Sequence, residues 1–189
     1  MRFLLAFSVL VATVVAGCSQ MGGSAVDFIP RRHAYPRVEP YSTATQPVSL
    51  APFAFKVAAE AHVDRTGEHW LDISYPRYGA VLHISASRFK DSKEALAAID
   101  NRRQRISLNI GAALARSYSF QNDAGLSCEI SVCAEGVATP VQFIAYDAQS
   151  SMLSAAFVIN GPITPTDSIR PIINLLQDEA FTILSSLTD

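Results

Sequence analysis

Cysteine is scarce in this chain, with three among 189 residues. No two of them form C-x-x-C, so the usual dithiol redox motif is excluded. An excess of basic charge is also lacking. Fifteen Lys and Arg stand against seventeen Asp and Glu, for a formal net charge of −2 with histidine neutral. The electrostatic footprint of a nucleic-acid-binding domain is therefore absent. No G-x-G-x-x-G links a strand to a helix, and there is no P-loop, H-E-x-x-H or G-x-S-x-G. Past the first residues, no apolar run reaches the roughly 20 residues that a bilayer span requires.

What is present begins at the N-terminus. Arg2 supplies a positive head, Phe3 to Ala16 is almost wholly apolar, and Ala16-Gly17 is small. This is the pattern of a secretory signal peptide over residues 1–17, too short to span a bilayer. Val15-Ala16-Gly17-Cys18 reads as a bacterial lipobox, in which the cysteine becomes the first residue and carries lipid. Stable attachment needs two or more acyl chains, so the mature protein is expected to be anchored and not to span. Cleavage leaves 172 of the 189 residues, enough for one domain with a real core. It removes one basic and no acidic residue, moving the formal charge to −3. A hydrophobic fraction of 49% argues against general disorder.

Residues 18–29 read as a lipidated tether and 30–189 as the domain. Pro30, Pro36, Pro40, Pro47 and Pro52 predict extended segments and no helix up to residue 52. Arg31, Arg32, His33 and Arg37 form either a solvated basic face or a contact for acidic headgroups near the anchor. Phe53, Phe55 and Val57 alternate with smaller or charged residues, as in a strand. His69 to Tyr75 forms another, with Leu71, Ile73 and Tyr75 on one face. Pro76 and Gly79 turn the chain into a third, Ala80 to Ser87. Short spacing predicts an antiparallel meander.

Asp91 or Ser92 caps a helix expected to reach about Tyr118. Leu96, Ile99, Ile106, Ile110 and Leu114 make its stripe, with Arg103 inside it and Arg102 and Arg105 nearer its edge. Asn122 to Gly125 is a turn. Leu126 to Ala134, Pro140 to Asp147 and Met152 to Asn160 read as strands. The last is apolar on both faces, which predicts a central position. Ser168 caps a final helix with Pro171 in its first turn and Ile172, Leu176, Ile183 and Leu187 as its inner stripe. The fold class is α+β: a single domain with a mostly antiparallel sheet, one long central helix and a C-terminal helix packed against it. Cys128 and Cys133 lie five apart in one strand. About 16 Å of extended chain separates them, too far for a bridge.

Chemistry is thin. His33, His62, His69 and His83 have no close ligand partner in sequence, and zinc needs three or four. His83 and Ser85 share one face of their strand, as a polar sheet face or as a possible catalytic pair. Catalysis would also require an orienting acid and oxyanion donors. Asp72 and Asp147 show no carboxylate-pair spacing. No cofactor or metal is expected.

Several stretches together resemble the bacterial gliding-motility lipoprotein family GldD. They are Pro30-Arg31-Arg32 through Tyr35-Pro36-Arg37, Pro52 to Val57, and above all Leu71 to Ser85 with its Tyr75-Pro76-Arg77-Tyr78 and Ile84-Ser85. Asp100 and Arg102 resemble a helical D-x-R. Gly136, Thr139-Pro140, Gln142-Phe143 and Asp147 follow in order, then Asp167-Ser168 and Pro171. Ser107-Leu108 stands where relatives carry Lys-His, and Val137 where they carry Asn. The resemblance implies an outer-membrane, periplasm-facing lipoprotein near the machinery of gliding and type IX secretion, with no enzymatic activity.

The lead expectation is thus an accessory subunit held to the bacterial membrane by Cys18 and bound to an envelope protein complex. Its candidate partner surface is Arg77, Tyr78 and His83 beside Arg102 and Arg103, since Tyr and Arg favour desolvated contacts. Equally open is a purely structural role for Arg77 and Tyr78 in the inter-strand turn. The rivals are a module binding a lipid or peptidoglycan fragment, which predicts a mixed cleft between sheet and helix, and a hydrolase built on His83.

Overall fold

Alternating side chains build most of this protein. The computed structural model describes residues 37–65, 67–111, 115–133, 137–160 and 169–189. The signal peptide, Cys18, the tether, Arg31, Arg32, His33, Leu114 and Ser168 lie outside the described residues. Among the described residues nine strands and two long helices follow in order: β1 (Thr45–Leu50), β2 (Phe53–Ala58), β3 (His62–Arg65), β4 (Trp70–Tyr75), β5 (Ala80–Arg88), α1 (Ser92–Ile110), β6 (Ala115–Gln121), β7 (Ser127–Cys133), β8 (Val141–Asp147), β9 (Ser151–Ile159) and α2 (Arg170–Ser186). A 3₁₀ turn, Pro76–Tyr78, joins β4 to β5 and closes on Gly79, whose φ of 58° suits glycine.

Seven strands form one antiparallel sheet in the order β3-β4-β5-β9-β8-β7-β6. β9 sits at its middle, as its two apolar faces predict. β1 and β2 pair separately as a hairpin. Leu71, Ile73, Tyr75, Leu82, Ile84, Ile130, Phe143, Leu153 and Phe157 point to one face and are buried. Against them pack Ile173, Leu176, Ala180, Ile183 and Leu184 of α2, together with Phe53, Phe55 and Val57 of the hairpin. Each buried Val, Leu, Ile or Phe side chain among them contributes about 1.5–3 kcal/mol. The other face carries a smaller cluster, where Ile99 and Ile106 of α1 meet Ile144 and Met152. The helices therefore cover opposite faces.

The α+β class holds, with several corrections. α1 stops at Ile110, not near Tyr118. Gly111 takes φ 59° and returns its N–H to the Ser107 carbonyl, ending the helix. Residues 115–121 are the edge strand β6, whose Tyr118 and Phe120 pack on Phe181. Leu96 is half exposed and leaves the apolar stripe, which Ala95 joins. In α2 it is Ile173, not Ile172, that is fully buried. β1 falls in the proline-rich segment. Pro47 is tolerated there because β1 is an edge strand, where its missing N–H breaks no ladder on the open side. Asp91 caps α1 as expected, accepting the Glu94 N–H at 2.9 Å. Cys128 and Cys133 lie on opposite faces of β7 and are not bridged to each other.

Candidate functional site

The chain crosses from β5, third in the sheet, to β6 at the far edge, and α1 makes that crossing over one face. Beneath it the sheet is unusually polar. Cross-strand partners form a row of Asp64, Asp72, His83, Ala156, Gln142, Ser131 and Ser117. Only small or polar side chains occupy that row, so α1 cannot seal against it and clefts remain on both flanks.

On the β6–β7 flank, Arg103 is fully engaged. Its guanidinium donates to both Glu129 oxygens, to Asp100 at 3.3 Å and to the Tyr146 hydroxyl at 2.8 Å. Tyr146 in turn donates to Glu129 at 2.9 Å. Hydrogen bonding from Arg103 holds the Glu129 carboxyl below its ordinary range. Burial, with Glu129 beside it, pushes the Tyr146 phenol up. Arg103 is thus a tie between α1 and the sheet beside a cleft of about 320 Å³.

On the β4–β5 flank, Arg102 behaves differently. It lines a cleft of about 340 Å³ with Trp70, Asp72, His83, Ser85 and Ser154. A second hollow of about 540 Å³ continues along α1 past Phe89 and Met152, sharing Ser85, Arg102 and Ser154. Burial, and then Arg105, push the Arg102 guanidinium down from its ordinary value. His83 Nδ1 lies 2.6 Å from Asp72 Oδ1, so Asp72 is an orienting acid that the sequence did not reveal. The Ser85 hydroxyl donates to the Ser154 carbonyl at 3.4 Å. Gly67 lets the Trp70 indole lie across it, since a Cβ there would strike the ring.

Arg77 and Tyr78 are not part of this surface. They belong to the β4–β5 turn and face the α2 side. Tyr78 is buried, and its hydroxyl accepts the Tyr41 N–H at 2.8 Å. The Arg77 guanidinium lies 4.6 Å from the centre of the Tyr41 ring and donates to the Pro40 carbonyl at 2.8 Å. Tyr75 and Tyr78 stack at 6.5 Å, and Glu179 accepts from the Tyr75 hydroxyl at 2.9 Å and the Ala58 N–H at 2.8 Å. These contacts clamp residues 40–41 onto the sheet. Of the five residues expected to form one surface, His83 and Arg102 come together. Arg103 takes the other flank of α1, and Arg77 and Tyr78 serve the chain's own N-terminal segment. Sequence reasoning missed Trp70, Glu129, Tyr146 and Glu179. Among the described residues no group of three His, Cys, Asp or Glu is placed to hold a metal ion.

Residues 25–188 match the family described as gliding motility lipoprotein GldD. The chain belongs to the GldD family. No curated protein matches it. The stretch from Leu71 to Ser85, which carries most of the resemblance to GldD, supplies the Trp70-flanking strand, the Asp72–His83 pair and Ser85 in one hairpin. The GldD-like Asp100 and Arg102 fall on α1 directly above that face, with Asp100 bound to Arg103 and Arg102 over the cleft. No helix among the described residues is long and apolar enough to cross a membrane.

Proposed function

We propose that this GldD-family lipoprotein is anchored through Cys18 and acts, without catalysis, as a periplasm-facing accessory subunit of an envelope machinery related to gliding motility and type IX secretion. The observation that carries the reading is the family match over almost the whole chain, with a lipobox cysteine just ahead of it. The outer membrane is the proposed site of attachment, and an envelope protein complex the proposed partner. A domain with a separate core on each face of its sheet suits a rigid subunit held at the membrane by a lipidated N-terminus.

Anchoring has a direct test. Mass spectrometry of the protein from membranes should find a mature chain beginning at Cys18 and carrying two or more acyl groups. Cys18→Ala, with residues 1–17 replaced by a signal that is cleaved without lipidation, should move the protein from the membrane to the soluble envelope fraction, because no helix among the described residues can hold it in a bilayer. Continued membrane association of the Cys18→Ala form would contradict the anchor.

A second reading, a ligand-binding lipoprotein module, is favoured by one observation. A mixed polar and apolar cleft does lie between the sheet and α1.

A further inference from the structure

Arg102 and Arg103 are neighbours in one helix and opposites in chemistry. Successive helical residues are turned by about 100°, which sends the two guanidinium groups to different flanks of α1. Arg103 is saturated by Glu129, Asp100 and Tyr146. Arg102 is half-buried, and its Nε is shut away from solvent without a hydrogen-bond partner. Asp72, the carboxylate lining the same cleft, is bound by His83 at 2.6 Å. A partly desolvated guanidinium that makes no ion pair is costly, and the cost is repaid when an acidic group arrives.

The rest of the cleft narrows what that group is attached to. The Trp70 indole is 48% exposed and forms a flat apolar wall. Its electron-rich face suits the C–H face of a sugar ring, which carries slight positive charge. His83, Ser85 and Ser154 offer short-range donors and acceptors matched to hydroxyl groups. A volume of about 340 Å³ lies within the range of small-ligand sites. Arg is also the side chain best shaped to hold a carboxylate or phosphate in a two-point grip.

We propose that the cleft between α1 and strands β4, β5 and β9 binds a small acidic saccharide, with Arg102 gripping its carboxylate or phosphate and Trp70 lying along its ring. His83, fixed by Asp72, reads a hydroxyl. This inference deepens the ligand-binding reading and rests on it, whereas the accessory-subunit reading stands or falls separately.

Trp70 is the single tryptophan of the chain, so intrinsic fluorescence reports on this cleft directly. The full-length, detergent-solubilised protein is titrated with N-acetylmuramic acid, N-acetylglucosamine 1-phosphate, neutral N-acetylglucosamine and inorganic phosphate. A saturable emission change is expected with an acidic sugar, and whether the carboxylate or the phosphate form gives it identifies the source of the charge. Arg102→Gln should weaken that response about tenfold or more. Arg116→Gln, on the distant edge strand, should leave it unchanged. If Arg102→Gln does not fold by circular dichroism, Arg102→Lys replaces it. That variant keeps the charge, loses the two-point grip and should also bind more weakly with an unchanged melting curve. Equal responses to neutral and acidic sugars would overturn the acidic-group assignment and leave the ligand-binding reading in place. A response matched by inorganic phosphate alone would overturn the saccharide. Silence with all four probes would overturn the inference, and native mass spectrometry showing no bound small molecule would then remove the ligand-binding reading too.

Discussion

Asn122→Ala should destabilise the protein by about 2–4 kcal/mol, and the isosteric Asn122→Asp should cost still more. Asn122 begins the β6–β7 turn and is buried. Its Nδ2 donates to the carbonyls of Leu184 and Leu187, both at 2.9 Å, at the end of α2. Its Oδ1 accepts the N–H groups of Ala124 at 3.1 Å and Leu126 at 3.0 Å. Both donors and both acceptor positions of the amide are used. Alanine strands the Leu187 carbonyl and the buried Leu126 N–H, and leaves the Leu184 carbonyl only the 3.4 Å contact from the Leu187 N–H. Aspartate keeps the two contacts with N–H groups but sets an acceptor, charged near neutrality, against two carbonyl oxygens. Urea unfolding monitored by circular dichroism reads both values. A cost for Asp below that for Ala would mean that the α2 carbonyls are not what Asn122 serves.

Glu179→Ala should cost about 2–4 kcal/mol by leaving two buried donors, the Ala58 N–H and the Tyr75 hydroxyl, without an acceptor. Glu179→Gln should be far milder, because its amide oxygen can accept both. The pH dependence separates the two effects. Burial pushes the Glu179 carboxyl above its ordinary value, against the hydrogen bonds from Ala58 and Tyr75 that lower it. The folded state therefore holds that proton more tightly than the unfolded chain. Its contribution is fully present below the ordinary carboxylate range and is lost as pH rises through the raised value. Glu129 has the opposite sign. Arg103 holds it below its ordinary value, so its contribution is lost on acidification. Subtracting the Glu179→Gln stability profile from the wild-type profile removes the shared Glu129 contribution. The difference should fall with rising pH, and a flat difference would show that Glu179 folds with an unshifted carboxyl.

Strands β4, β5, β7, β8 and β9 were legible in the sequence because each carries a clean two-residue alternation or an apolar run between turn residues. The central place of β9 was legible for the same reason. β6 was not. Ala112, Ala113 and Leu114 extend a helix-forming composition past Gly111, and only the φ of 59° at that glycine ends it. β1 and β3 are edge strands that pair with the next strand in the chain but carry no clean apolar alternation of their own, and Pro47 argued against the first. The candidate site divides in the same way. His83 stood out as polar on a half-apolar strand, but its partner Asp72 follows from the β4–β5 register. Glu129 and Tyr146, which satisfy Arg103, come from strands beyond the helix. That Arg102 and Arg103 must part company follows from helix geometry alone. Tyr78 looked like a contact residue because exposed tyrosine favours interfaces, yet its hydroxyl is occupied by the chain's own Tyr41 N–H.

The proposed role of this GldD-family lipoprotein is that of a subunit held at the envelope. The most direct measurement is quantitative mass spectrometry of what stays bound to the lipidated protein through size-exclusion chromatography of detergent-solubilised envelopes, with the secreted Cys18→Ala form as control. The account predicts one envelope protein complex in fixed stoichiometry with the lipidated chain, and less of it with the control. A chain that elutes without any protein partner would contradict it.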